Sequence, residues 1–196
     1  MLTRMLALVL AASCFLTVSA QAADEPAVKS GPEVGKEMPG PFHPYNVTGK
    51  RAGDFHDIVS THGLDPVVLI FVRGTDSGEP LKKLLSGLDE AAQKSTKTRT
   101  AVAAVFLGED LKDVVTNDDQ RKKLAEKVAL IKTDAKLNEV VLCLDSADGP
   151  KAYALNPNAE VTVLVGNYAF PKGGLKNENA DAIVAAVKEK FAPAKK

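Results

Sequence analysis

Cysteine is scarce in this chain, and its scarcity excludes the most. Two occur in 196 residues, Cys14 and Cys143. Cys14 lies in a leader-like opening, so a chain processed beyond it keeps Cys143 alone. One thiol excludes an internal disulfide and a CxxC redox pair. Net charge is also missing. Twenty-five basic side chains balance twenty-five acidic ones, and loss of Arg4 with the leader shifts the balance to −1. No basic surplus points to nucleic acid or to an anionic membrane surface. Beyond the opening, no apolar run is long enough to span a bilayer. H-E-x-x-H, G-x-S-x-G, the P-loop and G-x-G-x-x-G are all absent, as are internal repeats.

What is present begins at the N-terminus. Arg4 precedes LALVLAASCFLTVSA and then AQA, small at both ends of the triplet. A positive start, a short apolar stretch and a small-residue site make residues 1–22 a secretory signal peptide, cut after Ala22. A lipoprotein signal at Cys14 is the weaker alternative, because the chain stays apolar after that cysteine. The expected location is periplasmic or extracellular, with no membrane span in the mature chain. Residues 23–41 carry Pro26, Pro32, Pro39 and Pro41 among polar residues and are expected to form a flexible lead-in. Residues 193–196 form a basic tail.

Between these ends the periodicity alternates. Phe42 to Val47 is a first short strand. Asp54 is expected to cap a short helix that shows Phe55, Ile58, Val59 and His62 on one face, stopped by Gly63. PVVLIFVRG (66–74) is a continuous apolar run, the pattern of a strand buried on both faces. Leu81, Leu84, Leu85, Leu88 and Ala91 recur at helical spacing. TAVAAVFLG (100–108) is a second buried strand, and Asn117 with Gln120 opens a helix carrying Leu124, Val128 and Ile131. EVVLCLD (139–145) and EVTVLVGN (160–167) are further strands, and YAFPKGG (168–174) returns as a hairpin partner. Ile183, Val184, Val187 and Phe191 mark a C-terminal helix. Strands alternating with helices imply a largely parallel central sheet with helices on both faces and an antiparallel edge.

Few side chains offer chemistry. Asp76 and Glu79 flank a helix start. They suit an N-cap and the third position of a capping box, with Pro80 in the first turn, or else an acidic pair for a cation or basic partner. The helix dipole that activates a thiol at this place works against a carboxylate as general base. Cys143 sits in Val-Val-Leu-Cys-Leu and reads as a small buried hydrophobe, although it is the one candidate thiol. His43, His56 and His62 do not have metal-ligand spacing, so no metal and no cofactor is expected. Asn46-Val47-Thr48 matches a glycosylation sequon without catalytic meaning.

Three stretches together resemble the thioredoxin-like superfamily, in its peroxiredoxin and TlpA-like secreted branch. VGKEMPGPFHPYNVTGK (34–50) is similar to the opening hairpin, PVVLIFVRGTDSGEPLKKLL (66–85) to the strand, active-site turn and helix, and NAEVTVLVGN (158–167) to the strand beside the site. The resemblance implies a three-layer α/β fold over residues 42–192. It also implies a groove formed by Thr75, Asp76, Ser77 and Glu79 with Glu160 and Val161, where this fold meets extended peptides. The chain departs from the pattern where the chemistry resides. Asp76 and Glu79 stand in the places of the two thioredoxin cysteines, and Gly78 stands in the place of the peroxidatic cysteine. Val161 or Glu160 stands where the family has a proline. The expected function is therefore a non-catalytic binding or structural module, its partner an extended peptide or envelope protein. One alternative is a redox protein using Cys143 or an external thiol. Another is a metal- or small-molecule-binding protein.

Overall fold

The computed structural model describes residues 28–33, 36, 38–62, 65–95, 100–108, 116–164, 168–171 and 175–190. The leader, the basic tail, Gly63, Phe191 and residues 165–167 and 172–174 lie outside this set. Six strands form one sheet: β1 (Tyr45–Asn46), β2 (Val67–Arg73), β3 (Ala101–Leu107), β4 (Val141–Leu144), β5 (Ala159–Leu164) and β6 (Tyr168–Pro171). Their spatial order is β1-β4-β3-β2-β5-β6. The pairs β4–β3 and β3–β2 are parallel, as expected for strands joined through helices. The antiparallel hairpin β5–β6 forms one edge, and the short antiparallel β1 closes the other.

Alternation along the strands sorts side chains onto two faces. Val68, Ile70 and Val72 of β2, with Val102, Ala104 and Phe106 of β3, pack under the long helices α2 (Glu79–Lys94), α3 (Asp118–Asp134) and α4 (Asn177–Lys190). Leu69, Phe71, Ala103, Val105, Leu107 and Cys143 face the other way. There they meet Ile58 of the short helix α1 (Ile58–His62), Phe42 and Tyr153. Tyr153 belongs to a 3-10 turn, Lys151–Tyr153. Its ring lies 5.1 Å from Phe42 and 5.4 Å from Phe71, and its hydroxyl donates toward the Pro39 and Gly40 carbonyls. No helix of the described residues is long and apolar enough to cross a membrane.

One expectation about this frame changes. Asp54 does not cap α1. Phe55 is drawn into an isolated bridge with Tyr45, so the chain is still extended there, and Asp54 pairs with Arg51 at 3.5 Å. The cap is Asp57, whose two carboxylate oxygens accept from Val59 N and Ser60 N at 3.0 and 2.9 Å. Within the lead-in, Ser30 is buried, and residues 29–31 hydrogen-bond to the loop before β5.

The long helices are tied to the sheet by a buried charge. Asp89 of α2 is 2% exposed. Its Oδ1 accepts from the backbone N–H groups of Asn138, Glu139 and Val140 at 2.9, 2.7 and 2.8 Å, and its Oδ2 from Gln93 at 2.6 Å. A carboxylate is tolerated in the core because every strong bond it needs is supplied. It fixes the turn that delivers the chain from α3 into β4.

Asp89→Ala leaves three backbone donors without an acceptor and is expected to cost about 3 kcal/mol in urea unfolding, with Asp89→Asn milder because it keeps the acceptor. Asp57 supplies a pH test. Burial pushes its carboxyl up, but hydrogen bonds from Ser60, Val59 and Phe42 outweigh this and leave it below its ordinary value of 3.8. A lowered folded value contributes stability above the unfolded value, and that stability is lost as pH falls through the folded one. Stability measured from pH 6 down to 2 should therefore fall less steeply in Asp57→Asn than in the parent.

Candidate functional site

The carboxyl ends of β2, β3 and β4 point to one edge, where open α/β sheets hold their ligands. β2 ends there in a charge. The Arg73 guanidinium is half-buried, and its Nη1 donates to the Ala147 carbonyl at 2.8 Å. Nε and Nη2 both donate to the Asn156 carbonyl, at 3.3 and 3.1 Å. Burial lowers its pKa, and the nearby Asp148 charge opposes that shift. Gly74 follows at φ +82°, a left-handed conformation that a side chain resists. Its N–H bonds the Leu107 carbonyl, which starts the turn across the top of β3.

In the turn, Thr75 is buried, Ser77 half-buried, and Asp76 and Glu79 exposed. The capping expectation is corrected here. The N-cap of α2 is Gly78, and no side chain caps it. Pro80 occupies the first turn, where its missing N–H costs nothing, and this sets the helix start at Glu79. Asp76 is thereby left two residues before the cap and meets Lys127 of α3 at 3.4 Å. Glu79 pairs with Lys82 at 3.5 Å. Both are exposed pairs of small energetic weight.

On the neighbouring strand, Val161 is in register with Val72, and its side chain is buried beneath the helices. It offers a surface backbone atoms only. Glu160 is half-buried beside it. Nearby, the Asn156 carbonyl holds Arg73, and its side-chain oxygen accepts from Asn158 N at 2.9 Å.

Cys143 is far from this turn in character. It is fully buried on β4, opposite Asn46 of β1, and its Sγ–H donates to Asn46 Oδ1 at 3.0 Å. Burial, and then the charge of Asp145, pushes its thiol far up, against the thiolate that any redox or nucleophilic role needs. Asn46 is buried with it, so the sequon is closed in the folded chain. His56 Nε2 is 2.8 Å from Thr61 Oγ1, and His62 Nδ1 donates to the Ile58 carbonyl at 2.9 Å. Among the described residues, no three His, Cys, Asp or Glu side chains converge as metal ligands would.

Arg73, Asn156, Ser30 and Thr162 did not stand out in the sequence. One signal was available for Arg73: a charge that closes the apolar run VVLIFVR must be bonded where it is buried.

The chain was compared with known proteins. Family models and characterised sequences give no match. Solved structures do. A candidate protein disulfide isomerase from Bacteroides thetaiotaomicron superposes with a TM-score of 0.51 at 17% identity, over 85% of this chain and 96% of its own. The fold is thioredoxin-like. An uncharacterised conserved protein from Geobacillus kaustophilus (TM-score 0.49, 17% identity, 88% and 92% covered) is also similar. So is a bacterioferritin comigratory protein from Xanthomonas campestris (0.46, 14%, 81% and 99%). At these identities the likeness speaks for the fold and leaves function to the residues.

The burial of Cys143 makes a direct prediction. A thiol reagent such as Ellman's should leave it unmodified in the native chain over hours and titrate one thiol per mature chain in denaturant. Rapid native modification would contradict the placement. Asn46→Ala should raise the native rate, because it removes the acceptor and loosens β1 on β4.

Proposed function

We propose that this chain is an exported thioredoxin-like binding or structural module with no redox activity of its own. One observation carries the reading. The strand–turn–helix junction that holds the thiols in redox-active members bears Thr75, Asp76, Ser77, Gly78 and Glu79, and the remaining thiol, Cys143, is buried and bonded on another strand. A carboxylate cannot replace a thiolate in disulfide exchange, which needs sulfur as both attacking and leaving atom. The turn, with the chain around Asn156 and Glu160, is then a surface for an extended peptide or an envelope protein. Residues 1–22, read as a signal peptide, place that partner outside the cytoplasm.

Insulin-reduction and peroxidase assays on the mature chain test the reading. The expected rates equal those of buffer, with added glutathione or without. Turnover that disappears in Cys143→Ala would overturn it in favour of an active redox protein. N-terminal sequencing of the chain from an envelope fraction should begin at Ala23.

A further inference from the structure

The lead-in meets the body of the fold in a specific way. Ser30 is 6% exposed, and its Oγ shares a 2.8 Å hydrogen bond with Thr162 Oγ1 on β5. The same Oγ accepts from Asn156 N at 3.0 Å. The Asn156 side-chain amide donates to the Lys29 carbonyl at 3.1 Å, and Gly31 N donates to the Ala154 carbonyl at 3.2 Å. Gly31 lies at φ +86°, and a Cβ there would stand 2.8 Å from a methyl of Leu164. Three residues thus share four hydrogen bonds with a surface more than 120 residues away in sequence.

Nearly every element of that recognition is what a protein uses to bind an extended peptide. Backbone donors and acceptors give affinity, and one or two close side-chain fits give selectivity. The hydroxyl pocket of Thr162 and Asn156 demands a small hydroxyl residue. The next position admits only glycine, from both its φ and the nearness of Leu164. Asn156 also holds Arg73, so this surface is continuous with the end of β2 and the turn that follows.

We propose that Lys29–Gly31 is an intramolecular ligand, and that Ala154, Asn156, Thr162 and Leu164 form a docking surface for an extended peptide carrying a small hydroxyl residue followed by glycine. The inference rests on the reading of the chain as a binding module and gives that module a surface and a ligand class. The resident segment gates the surface. A short tether holds its ligand at an effective concentration on the order of millimolar, so a partner gains access only as the lead-in lifts away.

The probe is a fluorescein-labelled synthetic peptide of residues 28–33, Val-Lys-Ser-Gly-Pro-Glu. Gly31→Val in the otherwise intact chain strains the left-handed residue and collides with Leu164, which expels the resident segment. This variant should bind the peptide at least about tenfold more tightly than the parent, by the removal of intramolecular competition. Thr162→Val added to it should return binding to the parent level. Ser30→Ala, which keeps the backbone, should give a smaller rise of the same sign and serves if Gly31→Val does not fold. Equal binding by parent and variants, or no binding by a variant that keeps its circular dichroism and melting transition, overturns the proposal. The outcome is separable from that of the redox assays. A flat peptide response with silent redox assays removes the gated surface and leaves the module, whereas thiol-dependent turnover removes the module whatever the peptide does.

Discussion

A guanidinium at the end of a strand buried on both faces is the constraint around which this edge of the molecule is arranged. β2 runs through the middle of the sheet, and six of its seven residues are aliphatic or aromatic. Arg73 has to leave that environment with its charge satisfied, because an unmet charge there would cost several kcal/mol. Its donors go to two carbonyls, Ala147 after β4 and Asn156 before β5. Two points of the single connection between β4 and β5 are thereby fastened to the end of β2. Asn156, fixed through its carbonyl, still has its N–H and side-chain amide to spend on the lead-in. The turn, the loop before β5 and residues 29–31 are parts of one hydrogen-bonded assembly.

The turn before α2 is built for a different kind of contact than a thiol-based site. In a thiol-based site the helix N-terminus and the turn must hold a thiolate and expose it. Here α2 starts with a bare glycine cap and a proline, and the acidic residues of the turn pair with Lys127 and Lys82 at the surface. Cys143, the free cysteine among the described residues, is a packing group. Cys143 fills a position between the β1 edge and the second face of the sheet, and its weak donor meets Asn46. A sulfur in that setting is a small hydrophobe with one directed contact.

The elements themselves were legible in the sequence, because each is written in local periodicity. The doubly apolar runs of β2 and β3 and the Leu81–Leu84–Leu85–Leu88 stripe of α2 leave one assignment each, and Asn117 caps α3 through Gln120 N as its spacing implies. The boundaries that shifted did so for two reasons, a strand bridge in one case and a proline in the helix's own first turn in the other. Tyr45 drew Phe55 into a bridge and moved the start of α1 from Asp54 to Asp57, and Pro80 displaced the cap of α2 from Asp76 to Gly78. Asp89, Asn156 and Ser30 were not legible for a different reason. Their long-range partners lie 49 to 132 residues away, and nothing in a neighbouring dipeptide marks a helix aspartate as the acceptor for a distant turn. In the candidate site, the turn residues were found from its resemblance to a redox site, whereas the residues that organise it are polar groups of common type.

Among the described residues Cys143 is free and buried, so the long loops are closed without covalent links. A disulfide contributes about 2–4 kcal/mol by restricting the unfolded chain. A hydrogen bond to a charged group contributes roughly half of that, and it acts on the folded state alone. Asp89 compensates by number: three backbone bonds reach a single carboxylate across the gap between α2 and the turn before β4, and Gln93 of α2 adds an amide bond from its own helix. Ser30 and Asn156 do the same between the two ends of the domain. The two devices differ in how they fail. Asp89 is enclosed by secondary structure on both sides, so its bonds break only when the core opens. The lead-in bonds join residues 29–31 to the loop before β5 and, through Thr162, to the surface of β5 itself. Local opening of a terminal segment is the lowest-energy excursion available to a folded domain. The most specific long-range contact of the second face is therefore also the one that can exchange its occupant without unfolding anything else.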